Sequence, residues 1–327
     1  MPIIQIHRKP LPGRQSFERL FSTINRALPE DIKVHTVYPP CHSKGLTRRI
    51  LNVLALLFTR GRTIHITGDL HYLSFSFPFR KRILTIHDLA AFHSRTGWRK
   101  RLWGLCMINL PMRFATVVTT ISEAVKAELV EASGVDPAKI VVIPNCIDPA
   151  FRPVTKPWSD IPVVLFVGTR PQKNLERMMS ALEGLPVNVH IVGELTEVQE
   201  AHFNAIGVPW TALGRLSDEA VINAFKTCDC LAFASTYEGF GLPVIEAQAT
   251  GRPVLTSDIP VLREVAGEGA CFVDPIDVES IRAGFRRILD DFSYRESLVQ
   301  NGYKNVQRFT REATAAAYAA IYLRTDE

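Results

Sequence analysis

The sequence predicts an α/β protein built from two doubly wound domains, and three observations carry that expectation. The chain has 327 residues, about twice the usual length of one domain. Short apolar runs alternate with amphipathic helical stretches through both halves, and a polar stretch holding Pro149, Pro153 and Pro157 lies between them. Apolar residues at 46% and charged residues at 22% fit a folded chain and exclude disordered, collagen-like and coiled-coil classes.

Residues 1–8 reach charge too soon for the apolar core of a signal peptide and read as a first strand, so no export and a cytoplasmic location are expected. The runs 63–67, 82–86 and 116–120 follow as strands. Ser122 caps a helix over 123–132, and 139–145 is the last strand before a connector over 147–161. The first domain is therefore placed at 1–150 and the second at 151–308.

In the second domain, 163–167, 187–192, 230–234 and 253–256 are short, mainly apolar runs that read as buried parallel strands. Helices over 174–185, 197–205, 217–228 and 243–250 form the crossovers. Ser217 is the expected cap of the third, with Asp218 and Glu219 favourable in its first turn. The six cysteines form no Cys-x-x-Cys pair or regular spacing, which argues for a reducing compartment and against a zinc site.

Charge is unevenly spread: residues 1–113 carry 19 Lys and Arg against 5 Asp and Glu, and the remainder 19 against 28. A basic half on an otherwise acidic chain points to a polyanionic partner, with a phospholipid surface, a lipid diphosphate and nucleic acid as the candidates.

The most informative stretch runs from Ser235 through Glu238, Gly239, Phe240, Gly241, Leu242 and Pro243 to Glu246, between a strand and a helix. Its glycines allow close backbone approach to a ligand, and Pro243 near the start of the helix leaves the first amides aimed outward, as an anion site requires. Glu238 and Glu246 can flank a ligand seated on that turn. Gly168, Arg170 and Lys173 form a second turn at the end of the domain's first strand, where two cations can clamp a diphosphate and neutralise a departing nucleotide. No metal is then needed, and no Asp-x-Asp triplet is present to hold one.

The run 163–275 resembles the donor domain of the retaining glycosyltransferases of family 4. The likeness rests on Glu238-Gly239-Phe240-Gly241-Leu242-Pro243 followed by Glu246, on Gly168 with Arg170 and Lys173, and on the segments 214–217, 251–254 and 264–267; it weakens towards residue 1. It implies a GT-B fold, two Rossmann-like domains facing across a cleft, with a C-terminal helix near 309–327 crossing back onto the first. It also implies a nucleotide diphosphate sugar as donor, GDP-mannose being common in the family. Glu246 would hold the ribose, Glu238 would face the sugar near its anomeric carbon, and Arg170 and Lys173 would hold the diphosphate. Backbone around Gly241 and Leu242 would contact phosphate or sugar, Arg215 would bind the donor, Leu216 would lie by the base, and His87 would touch the donor sugar. Configuration is retained in such enzymes by same-face attack, the departing phosphate oxygen taking the acceptor proton, without a protein nucleophile.

Several bland readings stand beside these. A lone histidine after a strand is as often a packing residue, and His65, His71 and His93 rival His87. The apolar run 50–58 reads as core when taken alone. Its flanking Lys44, Arg48, Arg49, Arg60 and Arg62, the Trp98-to-Trp103 segment with Arg99, Lys100 and Arg101, and the cluster Arg80, Lys81, Arg82 shift it towards an anionic membrane surface. The expected function is thus a retaining hexosyltransferase acting on a lipid-linked saccharide or polysaccharide-precursor acceptor. The rivals are another GT-B enzyme, such as an epimerase or phosphorylase, and a nucleic-acid-binding protein, the last disfavoured because the glutamates and the glycine turn would have no role in it.

Overall fold

The computed structural model describes residues 2–9 and 16–324. The chain divides into two compact units, one holding the residues up to Cys146 together with those from Thr310 on, the other Ile147–Phe309. The change of unit therefore falls at 146/147 and 309/310, a few residues from the expected 150 and 308.

The first unit is one parallel sheet of β1 (Pro2–Ile6), β2 (Lys33–Val37), β3 (Thr63–Ile66), β4 (Lys81–Ile86), β5 (Val117–Thr120) and β6 (Ile140–Val142), in the order β2-β1-β3-β4-β5-β6. Strands β3 and β4 are buried on both faces except at Arg82, which is why their sequences run apolar without alternation. Helix Glu123–Ser133 is capped by Ser122, whose Oγ accepts from Val125 N at 3.1 Å, and ends on Gly134 at φ 63°. The helix Arg311–Leu323 packs into this unit: Tyr318, Ala319 and Tyr322 share a core with Ile3, Phe21, Ile24 and Ile83.

A buried polar ladder crosses that core. Tyr322 Oη lies 2.7 Å from His65 Nδ1 and accepts from Gln5 Nε2 at 3.0 Å, while His65 Nε2 meets Thr85 Oγ1 at 2.6 Å and Thr85 meets Thr119 at 2.6 Å. These partners keep polar side chains affordable in a dry interior.

Two expectations about the basic half need correction. Lys81 begins β4 and is buried, its ammonium donating to the carbonyl of Arg324, and Arg80 donates to the carbonyl of Thr59, so Arg80, Lys81 and Arg82 do not form one surface cluster. The run 50–58 is not core either: helix Leu46–Leu56 buries Asn52 and Leu56 and leaves most of its other apolar side chains in solvent.

The second unit is a parallel sheet of β7 (Val163–Val167), β8 (Asn188–Val192), β9 (Trp210–Gly214), β10 (Cys230–Phe233), β11 (Val254–Ser257) and β12 (Cys271–Val273), in the order β12-β11-β10-β7-β8-β9. The crossover expected over 174–185 is shorter, Leu175–Ala181, because Pro171–Lys173 forms a separate turn and Asn174 takes a left-handed conformation at φ 61°. Ser217 caps helix Asp218–Thr227, accepting from Ala220 N at 3.3 Å. No helix among the described residues is long and apolar enough to cross a membrane.

Candidate functional site

Strand order in the second unit reverses between β10 and β7, and a ligand crevice forms beyond the carboxyl ends of strands at such a point. The loops leaving these two strands carry most of the residues singled out above. Gly168 leaves β7 at φ 89°, and a Cβ there would come within 3.1 Å of the Lys173 side chain, so the glycine makes room for the lysine to fold back over the turn. Asn174 then pins the loop: its buried Nδ2 donates to the carbonyls of Ala234 at 2.9 Å and Pro275 at 2.6 Å. Thr236 N donates to the Gln172 carbonyl at 2.8 Å, which ties the second loop to the first.

Held this way, Lys173 Nζ sits 2.6 Å from Glu238 Oε1, with the two side chains 19% and 14% exposed. The ammonium also lies 4.3 Å from the centroid of the Phe233 ring. Pairing a cation with a carboxylate next to an apolar ring keeps both charges oriented while neither is fully hydrated.

Gly241 follows at φ 97° and precedes helix Leu242–Thr250, in which Pro243 occupies the first turn. No side chain caps this end; Val244 N donates to the Gly241 carbonyl at 2.9 Å and Pro243 carries no N–H, so of the first three helical residues only Leu242 offers an amide to an anion at the same strand ends. Glu246, half-buried, lies one turn into the helix. The Phe240 ring is buried and stands edge-on to Phe309 at 5.7 Å. Ser235 Oγ, fully buried where the chain leaves β10, has no hydrogen-bond partner among the described residues.

Arg170 is exposed on the first loop. Arg215 and Leu216 follow β9, two strands from β7, about 10 Å along the sheet. Arg215 pairs with Glu194 at 2.7 Å in solvent, and Leu216 is half-buried. The switch point thus gathers Gly168, Lys173, Glu238, Gly239 and Gly241, while Arg215 and Leu216 stand at the sheet edge.

His87 belongs to the first unit, just after β4. Burial, and secondarily the neighbouring His71 and Arg8, hold its pKa down to about 3, so the imidazole is neutral at ordinary pH. Of its rivals, His65 lies in the buried ladder, His71 Nδ1 is 3.0 Å from the Met107 carbonyl, and His93 is 3.1 Å from Glu128 at the surface.

Sequence reasoning missed Asn174, taken only as the start of a helix, and the contacts of Thr236. The sole local signal for Asn174 is that asparagine tolerates left-handed backbone better than most residues. Among the described residues, no group of three or more His, Cys, Asp or Glu is placed to hold a metal ion.

The O-antigen chain mannosyltransferase RfbU of Salmonella typhimurium is 24% identical over 235 residues, covering 64% of this chain and 61% of that protein. The MMP alpha-(1->4)-mannosyltransferase of Mycolicibacterium hassiacum is 28% identical over 285 residues, covering 78% and 67%. The chain thus spans only about three fifths of the Salmonella relative. The structure of sucrose-phosphate synthase from Thermosynechococcus elongatus superposes with a TM-score of 0.83 at 20% identity over 98% of each chain, and the fold is GT-B. The family model described as Glycosyltransferase Family 4 matches residues 3–151 and that described as Glycosyl transferases group 1 matches residues 149–305, and the chain, which bears both in succession, belongs to the family 4 glycosyltransferases.

Proposed function

We propose that this glycosyltransferase is a retaining hexosyltransferase that takes a sugar from a nucleoside diphosphate donor and passes it to a lipid-linked saccharide or polysaccharide-precursor acceptor in the cytoplasm. One observation carries the reading: Lys173, already oriented by Glu238, and the uncapped helix start at Gly241 and Leu242 stand on the two loops of the switch point in the second unit. Lys173 and Arg170 take the diphosphate, with the amides of Gly241 and Leu242 and the backbone of Gly168, Gly239 and Phe240 around it. Glu246 accepts from the ribose hydroxyls, and Leu216 and Arg215 lie towards the base. His87 is assigned to a hydroxyl of the transferred sugar as a neutral hydrogen-bonding group.

In the reaction, the bond from the anomeric carbon to the diphosphate oxygen breaks, and the acceptor oxygen bonds that carbon from the same face. The acceptor proton passes to the departing phosphate oxygen. Charge growing on that oxygen is met by Lys173, Arg170 and the amides of Gly241 and Leu242, so no metal is called upon. Glu238 orients Lys173 and faces the anomeric carbon, without a covalent role. Mannose as the sugar, with GDP as its carrier, is supported by the mannosyltransferase names of the two relatives.

The test is incubation with labelled GDP-mannose and UDP-glucose, with and without a lipid-linked acceptor extract, followed by analysis of anomeric configuration. Transfer with retention is expected. Epimerised donor, an inverted product, or transfer undiminished in Lys173→Met would each end the proposal.

A further inference from the structure

Helix Leu46–Leu56 is built inside out. Its one amide residue, Asn52, is wholly buried, exchanging hydrogen bonds with the backbone N and O of Cys41 at 2.9 Å each and donating to Tyr72 Oη at 3.0 Å. Leu46, Ile50 and Leu54, spaced by four and so on one stripe, are 73%, 49% and 52% exposed. A water-facing helix selected only for folding carries the opposite pattern.

Further large apolar side chains are exposed in the segments beyond the helix. Phe58, just past its end, is 86% exposed, and Phe79 is 98% exposed; the Arg80 guanidinium, donating to the Thr59 carbonyl, ties their two segments together. Phe75 stands edge-on to Phe114 at 5.8 Å, both exposed, and Trp98, Leu102 and Leu105 repeat at helical spacing on the exposed side of the helical run before Phe114. Of the 18 large apolar side chains exposed among the described residues, 12 fall between Leu46 and Phe114.

Charge selects the occupant. Residues 44–113 hold 13 Lys and Arg against only Asp69 and Asp88, and Arg48, Arg60, Arg62, Arg99 and Arg101 are exposed in the same segments as the apolar groups. A second copy of so cationic a face would repel it, whereas an anionic lipid surface attracts the cations and accepts the rings and leucines at headgroup depth. The helix, 11 residues long, reaches about 16 Å and cannot span a bilayer, so it lies in the interface plane.

We propose that the first unit docks on an anionic membrane through the apolar stripe of helix Leu46–Leu56 together with the exposed Phe58, Phe79 and Trp98, with the exposed arginines of the same segments binding acidic headgroups. This gives a peripheral attachment that uses none of the groups assigned to sugar transfer.

Flotation with phosphatidylcholine vesicles, with and without phosphatidylglycerol, tests it. The full chain is expected to float only with the acidic vesicles and to be released by salt. Phe58→Glu with Phe79→Glu, and separately Arg60→Ala with Arg62→Ala, should each weaken binding by roughly tenfold or more. The thermal shift given by GDP should be the same in both variants as in the parent, which shows that they fold; its absence in all three would count against the proposed donor site and leave flotation readable. The proposal is overturned if the parent ignores acidic lipid or if the variants float as it does. It is equally overturned if light scattering finds a dimer that Phe58→Glu with Phe79→Glu dissociates, for then a second copy covers the face.

Discussion

Lys173 Nζ lies 2.6 Å from Glu238 Oε1, although 65 residues separate the two in the chain. In the proposed reaction the carboxylate holds the ammonium at the crevice and neutralises it until a more highly charged diphosphate competes. Removing either partner therefore has different consequences. Lys173→Met should weaken nucleotide diphosphate binding and lower kcat by roughly 100- to 1,000-fold, as for loss of a group that meets developing charge. Glu238→Gln should lower kcat while leaving GDP or UDP binding as tight or tighter, since the ammonium is released to the phosphates. Calorimetric titration of the two variants checks this, and equal weakening in both would contradict the division of roles.

Glu246 is the assigned ribose acceptor, half-buried one turn into the helix that begins at Leu242. A hydrogen bond to a charged acceptor is worth about 1.5–3 kcal/mol, so Glu246→Ala should weaken GDP or UDP by roughly 10- to 100-fold and erase the thermal shift they give. Free pyrophosphate, which has no pentose, should bind the variant and the parent alike. An unchanged nucleotide shift in Glu246→Ala would refute the assignment.

Gly241 stands at φ 97°, and a Cβ there would lie 2.6 Å from Leu262 Cδ2. Gly241→Ala must either strain the backbone or rotate the Leu242 amide away from the crevice. A stability loss of about 1–3 kcal/mol is expected in urea unfolding, with weaker binding of diphosphate. Gly207→Ala is the control: its φ is also positive, at 78°, but a Cβ there meets nothing within 4 Å, so it should lose stability without losing diphosphate affinity.

How far such features could be read beforehand depends on what a residue's neighbours in sequence reveal about its neighbours in space. Strand β10 was legible because both its faces are covered and every residue from Cys230 to Phe233 is therefore apolar. Strand β2, Lys33–Val37, was not, because it is an edge strand with its polar side chains in solvent, and β9 is likewise largely exposed. The glycine turn before Leu242 announced itself, since Gly241 and Pro243 impose local backbone demands. Asn174 did not, for its bonds to Ala234 and Pro275 span 60 and 101 residues. The run 50–58 misled in the other direction: hydropathy records that leucines are present and not which side of the helix has a partner.

The buried histidines of the first unit make it acid-sensitive. His87 is held down to about 3 and His7 to about 4, both chiefly by burial, while an unfolded histidine titrates near 6.5. Between those values the unfolded chain binds protons that the folded unit refuses. Stability is therefore full above pH 6.5 and falls as pH drops towards 3, by up to about 1.4 kcal/mol per pH unit for each histidine. Calorimetric scans from pH 7 to pH 5 should show this loss, and His87→Gln should flatten it. The same slope in that variant would mean that His87 is not among the groups responsible.

Tyr322 and Tyr318 offer a controlled comparison within one helix. Both rings are buried in the same core, 6.0 Å apart and stacked, so replacing either by phenylalanine removes only an oxygen. Tyr322 Oη is 2.7 Å from His65 Nδ1 and receives the Gln5 amide at 3.0 Å, whereas Tyr318 Oη is 3.5 Å from Thr85 Oγ1, which already has His65 and Thr119 at 2.6 Å each. Tyr322→Phe withdraws one partner from two buried polar groups and should cost about 1–3 kcal/mol in urea unfolding. Tyr318→Phe withdraws its contacts from Thr85 and Thr119, whose hydroxyls bond each other at 2.6 Å, and should cost less than about 1 kcal/mol. Since both variants keep their rings, a difference between them measures the polar ladder itself; equally small losses would show that packing of the helix Arg311–Leu323, and not its hydroxyl groups, anchors it to the sheet.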